Sequence, residues 1–193
     1  MICYKQTLFD YGLRTRNMHF NLRPKDPQEI ASEVKLLLLD VDGVLTDGKL
    51  FFSNSGEEMK AFNSLDGHGI RMLMENGIQV GIITGRTSEL LSKRAEELGI
   101  ELLYQGQTVK VDALREVLEK IDCSPEEVAY MGDDFPDLPV MRIVGLGVAV
   151  ASAHPDVAAR ADMITERGGG NGAVREVTDF ILQAQNKYDE YLD

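Results

Sequence analysis

Apolar residues occur along this chain in short unbroken runs, which are separated by polar segments with helical periodicity. The runs do not alternate with polar residues, and such runs are typical of strands that are buried on both faces of a parallel sheet. They predict five strands, at residues 34–39, 79–83, 101–104, 128–131 and 147–150.

The segments between these runs carry apolar residues at helical spacing. Leu91, Ala95 and Leu98 recur in this way before Gly99, a residue suited to ending a helix. Further helices are predicted at residues 67–75, 111–121 and 174–184. Because strands and helices alternate regularly, we expect an α/β fold with a doubly wound parallel sheet.

A β-hairpin is predicted early in the chain, where residues 49–52 and 58–62 flank a segment rich in turn residues. We expect it to project past the ends of the strands. The chain between the first two predicted sheet strands has room for this hairpin and one helix only, so no cap domain is expected. We assign residues 1–33 to an N-terminal extension and residues 34–193 to a single domain.

The charge of the chain excludes some classes of partner. There are 20 Lys and Arg against 32 Asp and Glu, and the net charge of −12 has the wrong sign for binding nucleic acid or an anionic membrane. No apolar stretch approaches the roughly 18 residues that a membrane span requires. Cys3 and Cys123 form neither a disulfide framework nor a CxxC metal motif, which favours a reducing, cytoplasmic location.

Polar residues lie where the predicted strands end. Asp40 and Asp42 follow the first strand, Thr84 the second and Asp133 the fourth, while Lys110 opens the helix after the third. In a parallel sheet of this kind these ends converge on one crevice. Clustered carboxylates without His or Cys favour Mg²⁺, and Asp40, Asp133 and a backbone carbonyl could coordinate it. Lys110 and the Thr84 hydroxyl suit the oxygens of a phosphoryl group.

These residues belong to four motifs that occur in order: DxDGxxTD from Asp40, TGR from Thr84, the lone Lys110, and GDDxxD around Asp133. The ordered set resembles the haloacid dehalogenase (HAD) superfamily of aspartyl phosphatases. The resemblance implies that Asp40 attacks phosphorus, and that Asp42 protonates the leaving alcohol and then activates water. It further implies that Asp40, the Asp42 carbonyl and Asp133 hold Mg²⁺, and that Thr84 and Lys110 bind the phosphoryl oxygens.

Within this superfamily the chain is similar, over residues 34–187, to capless sugar phosphate phosphatases, in particular those that act on 3-deoxy-D-manno-octulosonate 8-phosphate in lipopolysaccharide synthesis. That similarity implies a homotetramer assembled through the hairpin. It also implies a set of substrate contacts in addition to Asp42 and Lys110. The set comprises Asn63, Ser64, Leu65, Asp66, Gly67, Arg71, Arg86 and Arg94. Planar guanidinium groups suit the carboxylate of a sugar acid phosphate.

Two other functions remain open at this stage. The first is the same reaction on a nine-carbon, sialic-type sugar acid 9-phosphate. The second is a receiver module that stores a phosphoryl group on an aspartate, but there the phosphoacceptor follows the third strand, which here ends in Leu103, Tyr104 and Gln105. An acid at Asp42 also suits turnover of the phosphoryl group better than its storage.

Overall fold

The computed structural model describes residues 19–20, 26–54 and 58–192. Its strands are β1 (His19–Phe20), β2 (Leu36–Leu39), β3 (Phe51–Phe52), β4 (Glu58–Met59), β5 (Gln79–Ile83), β6 (Leu102–Tyr104), β7 (Val128–Gly132), β8 (Leu146–Ala149) and β9 (Met163–Ile164). The main sheet has the order β1-β9-β8-β7-β2-β5-β6, and its pairs are parallel except for β1 with β9. The predicted doubly wound parallel sheet is confirmed, and the antiparallel edge strand β1 was not predicted.

Helices cover both faces of this sheet. They are α1 (Pro27–Glu33), α2 (Ser64–Glu75), α3 (Glu89–Leu98), α4 (Lys110–Ile121), α5 (Leu138–Met141), α6 (Pro155–Ala158) and α7 (Ala173–Ala184). The apolar side chains of α1, α2, α3 and α7 form a core on one face, and those of α4, α5 and α6 form a second core on the other.

The central strand β2 consists of four leucines with no solvent exposure. Leu37 and Leu39 pack into the first core, and Leu36 and Leu38 pack into the second. Burial on both faces explains why the strand reads as an unbroken apolar run. The strand therefore has a fixed register, and the residues that follow it are delivered to a fixed place.

Part of the segment assigned to the N-terminal extension belongs to the packed structure. Helix α1 buries Ile30 and Ala31 against the first core, and Asp26 caps its N-terminus by accepting a hydrogen bond from the Gln28 N–H at 3.0 Å. The Gln185 side chain at the end of α7 donates to the backbone carbonyl of Ala31. The domain boundary at residue 34 stays a prediction, but the helix preceding it packs on the domain.

The predicted hairpin is present, although its paired strands are shorter than predicted. Residues of β3 and β4 pair antiparallel in a separate two-stranded sheet. Its apolar side chains at Leu50, Phe51, Phe52 and Met59 are exposed in the single chain. Helix α2 begins at Ser64 rather than at residue 67, so one helix and β5 fill the chain up to Thr84. The capless architecture is thereby confirmed. Within the described residues, no helix is both long and apolar enough to cross a membrane.

Candidate active site

Asp40 stands directly after β2, between the C-terminal ends of β5 and β7. Leu39 pairs with Ile82 on one side and with Met131 on the other. Asp40, Thr84 and Asp133 each follow one of these paired residues by one or two positions, so all three lie at the same edge of the sheet. The N–H of Asp40 donates to the Met131 carbonyl at 3.0 Å. The strand register, and not a flexible loop, thus places the first carboxylate.

A tight turn follows Asp40 and carries Asp42. The N–H of Thr46 donates to the Val41 carbonyl at 3.0 Å and closes this turn, and Gly43 adopts φ +100° within it. A Cβ on Gly43 would lie 2.1 Å from an oxygen of Asp133. Glycine is therefore required both by the backbone conformation and by the closeness of the carboxylate.

The glycine-rich segment before α7 packs on this turn from the other side. The Gly170 N–H donates to the Val44 carbonyl at 2.9 Å, and a Cβ on Gly169 would lie 1.7 Å from the Gly43 carbonyl oxygen. The side-chain amide of Asn63 donates to the Gly170 carbonyl at 3.3 Å. We call residues 168–172 the glycine brace.

The carboxylate of Asp42 faces two cations. Lys60 Nζ lies 2.5 Å from Asp42 Oδ1, and Arg86 Nε lies 3.5 Å from Asp42 Oδ2. The Lys60 side chain is only 3% exposed. The Arg86 guanidinium also lies over the ring of Phe52, 5.8 Å from its centroid. Arg86 was predicted as a site residue, whereas Lys60 was missed.

Lys110 sits at the start of α4 in a buried network. Its Nζ lies 2.9 Å from Asp40 Oδ1 and 2.6 Å from Asp137 Oδ1, and the Tyr130 hydroxyl donates to the same Asp137 oxygen at 2.6 Å. Burial lowers the pKa of Lys110, but the charges of Asp137 and Asp40 raise it by more, so the ammonium form is favoured. Burial raises the pKa of Tyr130 well above its usual value and keeps the phenol a donor.

The second oxygen of Asp137 organises the turn after β7. It accepts hydrogen bonds from the N–H of Asp133 at 3.0 Å and of Asp134 at 3.1 Å. The Asp134 side chain in turn accepts from the Phe135 N–H at 2.8 Å. Asp137 thus holds the backbone that carries Asp133, and Asp134 caps the short helical turn that follows it.

Three carboxylates converge at this point. Each of Asp40, Asp133 and Asp137 has an oxygen within 4.8 Å of the others. Burial, followed by the charge of Asp137, raises the pKa of Asp40 to about 6, and burial with the charges of Asp137 and Asp40 raises the pKa of Asp133 to about 7. Oxygen ligands whose negative charges repel one another suit a hard divalent cation such as Mg²⁺. Because Asp137 is already occupied by four donors, Asp40 and Asp133 are the better ligands.

The predicted substrate loop has a mixed environment. Asn63 caps α2 by accepting from the Leu65 N–H at 2.8 Å, and Ser64 and Leu65 are exposed. Asp66 is buried instead, and its carboxylate accepts from the Arg175 N–H at 2.8 Å in the first turn of α7. Gly67 lies under the Arg94 guanidinium, where a Cβ would come within 2.3 Å of Nη2. Asp66 therefore caps α7, and its expected contact with a substrate stays a prediction.

Arg71 and Arg94 meet at the contact between α2 and α3. Arg71 Nη2 donates to the Glu97 carbonyl at 2.9 Å, and Arg94 Nη1 lies 2.9 Å from the Glu97 carboxylate. Arg94 also lies over the ring of Phe62 at 5.8 Å. These contacts are separate from those of Asp42, so among the three predicted arginines only Arg86 contacts Asp42.

The fold and these motifs define a class of protein. Residues 100–176 match the family model described as haloacid dehalogenase-like hydrolase. The chain is 55% identical to 3-deoxy-D-manno-octulosonate 8-phosphate phosphatase KdsC of Escherichia coli K12 over 160 residues, which are 83% of this chain and 85% of the relative. Over 159 residues it is 54% identical to the KdsC protein of Yersinia pestis, covering 82% of this chain and 85% of that one.

Solved structures agree with these relatives. The crystal structure of the Yersinia pestis phosphatase gives a TM-score of 0.83 at 53% identity and covers 84% of this chain and 88% of that one. The Moraxella catarrhalis phosphatase, crystallised with magnesium, phosphate and 3-deoxy-D-manno-octulosonate (KDO), gives a TM-score of 0.84 at 43% identity and covers 86% and 95%. The chain belongs to the 3-deoxy-D-manno-octulosonate 8-phosphate phosphatase family of the HAD-like hydrolases.

Proposed function

We propose that this protein is a Mg²⁺-dependent phosphatase that hydrolyses KDO 8-phosphate to KDO and inorganic phosphate. The observation that carries the proposal is the pair of Asp40 and Asp42 at the end of the central strand, where Lys110 Nζ lies 2.9 Å from Asp40 Oδ1. The family to which the chain belongs agrees with this arrangement. The substrate is an alkyl phosphate, so its leaving oxygen must gain a proton.

The reaction then has two steps. An oxygen of Asp40 attacks phosphorus, the bond from phosphorus to the sugar oxygen breaks, and Asp42 gives that oxygen its proton. In the second step Asp42 takes a proton from water as the water attacks phosphorus, and phosphate leaves Asp40. The same group serves as acid and then as base, because the two steps mirror each other.

The surrounding residues neutralise and orient the phosphoryl group. Lys110 is held between Asp40 and Asp137 at the start of α4, which supports a role in binding a phosphoryl oxygen. Thr84 is buried at the end of β5, and its N–H donates to the Tyr104 carbonyl at 2.9 Å. Asp40, Asp133 and the Asp42 carbonyl would hold Mg²⁺, which supplies charge neutralisation at the phosphoryl oxygens.

Substrate selection would fall chiefly to Arg86. Its contact with Asp42 brings a guanidinium group to the edge of the crevice, where it can bind the carboxylate or a hydroxyl of the sugar acid. Arg71, Arg94 and residues 63–67 would extend the site along α2 and α3. For the buried Asp66 we propose an indirect part through the N-terminus of α7. The identity to KdsC proteins favours the eight-carbon over the nine-carbon sugar acid.

For the assembly we propose a cytoplasmic homotetramer whose hairpins pack together. Leu50, Phe51, Phe52 and Met59 support this, because they form an exposed apolar cluster on an element that stands apart from the main sheet. The contact of Phe52 with Arg86 supports a link between this interface and the crevice.

A single set of assays tests the function. Phosphate release from KDO 8-phosphate, a sialic-type 9-phosphate and simple sugar phosphates should be largest for the first, should stop in excess chelator and should return with Mg²⁺. Asp40→Asn should lose turnover, whereas Asp134→Asn, the same change at a neighbouring exposed cap, should retain most of it. Turnover by Asp40→Asn at the wild-type rate would remove Asp40 as the nucleophile. Faster turnover of the 9-phosphate would reassign the substrate.

A further inference from the structure

Lys60 is a buried lysine at the foot of the hairpin. It directly follows β4, and its side chain is 3% exposed beside the Asp42 carboxylate. Burial of a lysine carries a large desolvation penalty unless its charge is paired. The 2.5 Å contact between Lys60 Nζ and Asp42 Oδ1 provides that pairing.

The two cations contact different oxygens of Asp42. Lys60 is on Oδ1, while Arg86 approaches Oδ2 at 3.5 Å and is itself 44% exposed in its side chain. The terminal torsion of an aspartate is broad, so a free carboxylate would sample many orientations. The contact of Lys60 with Asp42 is shorter and better buried than that of Arg86, so Lys60 contributes more to fixing the plane of the Asp42 carboxylate.

We propose that Lys60 is a positioning residue for proton transfer by Asp42. The inference rests on the proposed function, in which Asp42 protonates the leaving oxygen and later accepts a proton from water. Proton transfer requires the donor and acceptor atoms to come within about 2.6 to 3.2 Å. Lys60 holds the carboxylate where it meets that requirement and acts on the reaction only through Asp42. Because Lys60 follows β4 directly, the seating of the hairpin also controls this geometry.

A comparison of two leaving groups distinguishes a positioning role of Lys60 from a merely structural one. An alkyl phosphate needs a proton on its leaving oxygen, whereas the nitrophenolate of para-nitrophenyl phosphate leaves without one. The rate of the first chemical step is measured by rapid quench for the alkyl substrate and by the burst of nitrophenolate for the aryl substrate. Lys60→Met should slow the alkyl step by about 10-fold or more, which is part of the ~10²- to 10⁴-fold that general acid catalysis contributes. The aryl burst should change by less than about 3-fold.

Four further variants complete the design. Asp42→Asn should show the same preference for the aryl substrate. The double variant of Asp42→Asn and Lys60→Met should be no slower than Asp42→Asn alone, because both changes remove the same function. Lys60→Gln keeps a hydrogen-bond donor and should restore part of the alkyl rate. Lys49→Met removes an exposed charge from the same hairpin and should behave like the wild type.

The possible results separate the inference from the proposed function. Equal losses on both substrates in Lys60→Met, or full additivity in the double variant, would overturn the positioning role while Asp42→Asn still discriminates. If Asp42→Asn itself shows no leaving-group preference, the acid and base role of Asp42 is wrong and the inference goes with it. Should Lys60→Met fail to fold, Lys60→Gln is compared with the wild type instead. An alkyl-to-aryl rate ratio below that of the wild type supports the positioning role, and an unchanged ratio contradicts it when Asp42→Asn still discriminates between the two substrates.

Discussion

Replacing Asp137 by asparagine should destabilise the protein more than any other single change in the buried acid cluster. The residue is 1% exposed, and its carboxylate accepts four hydrogen bonds. An asparagine side chain offers one acceptor oxygen, and its NH₂ group would face donors on the other side. At least two donors would therefore lose their acceptor, and Lys110 would lose one of its two carboxylate partners.

The size of the effect follows from these contacts. Removing one member of a buried ion pair costs about 3 to 5 kcal/mol. At pH 8 Lys110 keeps the ionised Asp40 at 2.9 Å, so we expect the lower end there, about 3 kcal/mol. An opposing effect is the relief of repulsion, since the charge of Asp137 contributes to the raised pKa values of Asp40 and Asp133. At pH 5 those two groups are largely protonated in the metal-free protein, so the relief is small there. The loss should be larger at pH 5 than at pH 8.

The measurement is urea unfolding of the metal-free protein at the two pH values, with the free energy of unfolding taken from linear extrapolation. Tyr130→Phe removes one donor to the same carboxylate and should cost about 1.5 kcal/mol, the low end for a hydrogen bond to a charged group. Asp134→Asn, at an exposed cap, should cost less than about 0.5 kcal/mol. An Asp137→Asn protein as stable as the wild type at pH 5 would refute the reasoning. It would mean that the four hydrogen bonds to Asp137 stabilise the fold by no more than the burial of its charge costs.

Three other outcomes are expected. The metal-free protein should lose stability as pH rises from about 4 to about 7. The pKa values of Asp40 and Asp133 are raised to about 6 and about 7, so the folded state keeps protons that the unfolded chain releases near pH 4. Mg²⁺ should offset this loss of stability, which thermal melts would measure. Gly169→Ala should destabilise by about 1 to 3 kcal/mol in urea, because its methyl group would overlap the turn after β2. Phe51→Asp combined with Phe52→Asp should shift the sedimenting species from tetramer towards monomer and reduce sugar phosphate turnover.

Each of these outcomes has a contrary result. Stability that rises between pH 4 and 7 without metal would contradict the raised pKa values. Gly168→Ala is the matched control for the brace, since its Cβ would lie 3.2 Å from the Ser152 hydroxyl, without the overlap expected at Gly169. A Gly169→Ala protein no less stable than Gly168→Ala would remove the packing argument. Ile143→Asp, at an exposed apolar residue outside the hairpin, is the control for assembly. A wild-type protein that sediments as a fully active monomer would contradict the tetramer.

The sequence predicted the main sheet well because its long strands are buried on both faces and leave a continuous apolar signal. Strands of two residues, such as β1 and β9, leave no periodicity to detect. Helix α1 had a local signal in Asp26 and Pro27, an N-cap followed by proline, but its seven residues carry too few apolar positions to show that it packs on the domain.

The candidate site was predictable in its strand-end residues and less so in their partners. Asp40, Thr84 and Asp133 could be placed together because parallel strands end at one edge. The pairing of Lys60 with Asp42 joins residues 18 apart, across the turn after β2 and the hairpin, and no local pattern encodes it. Asp66 also accepts a hydrogen bond from a backbone group 109 residues further along the chain, which no local pattern encodes either. The catalytic and substrate roles of these residues stay predictions.

The glycine brace has a consequence for how the protein comes to fold. Gly170 follows Asn63 by 107 residues, and the turn that the brace supports lies earlier still. Contacts of such high sequence separation contribute only after the entropy of closing a long loop has been overcome. A nascent chain that has already built β2, β5 and β7 would still have an unsupported turn after β2. The phosphatase would therefore gain its competence only when the chain before α7 reaches the sheet, which delays activity until folding is nearly complete.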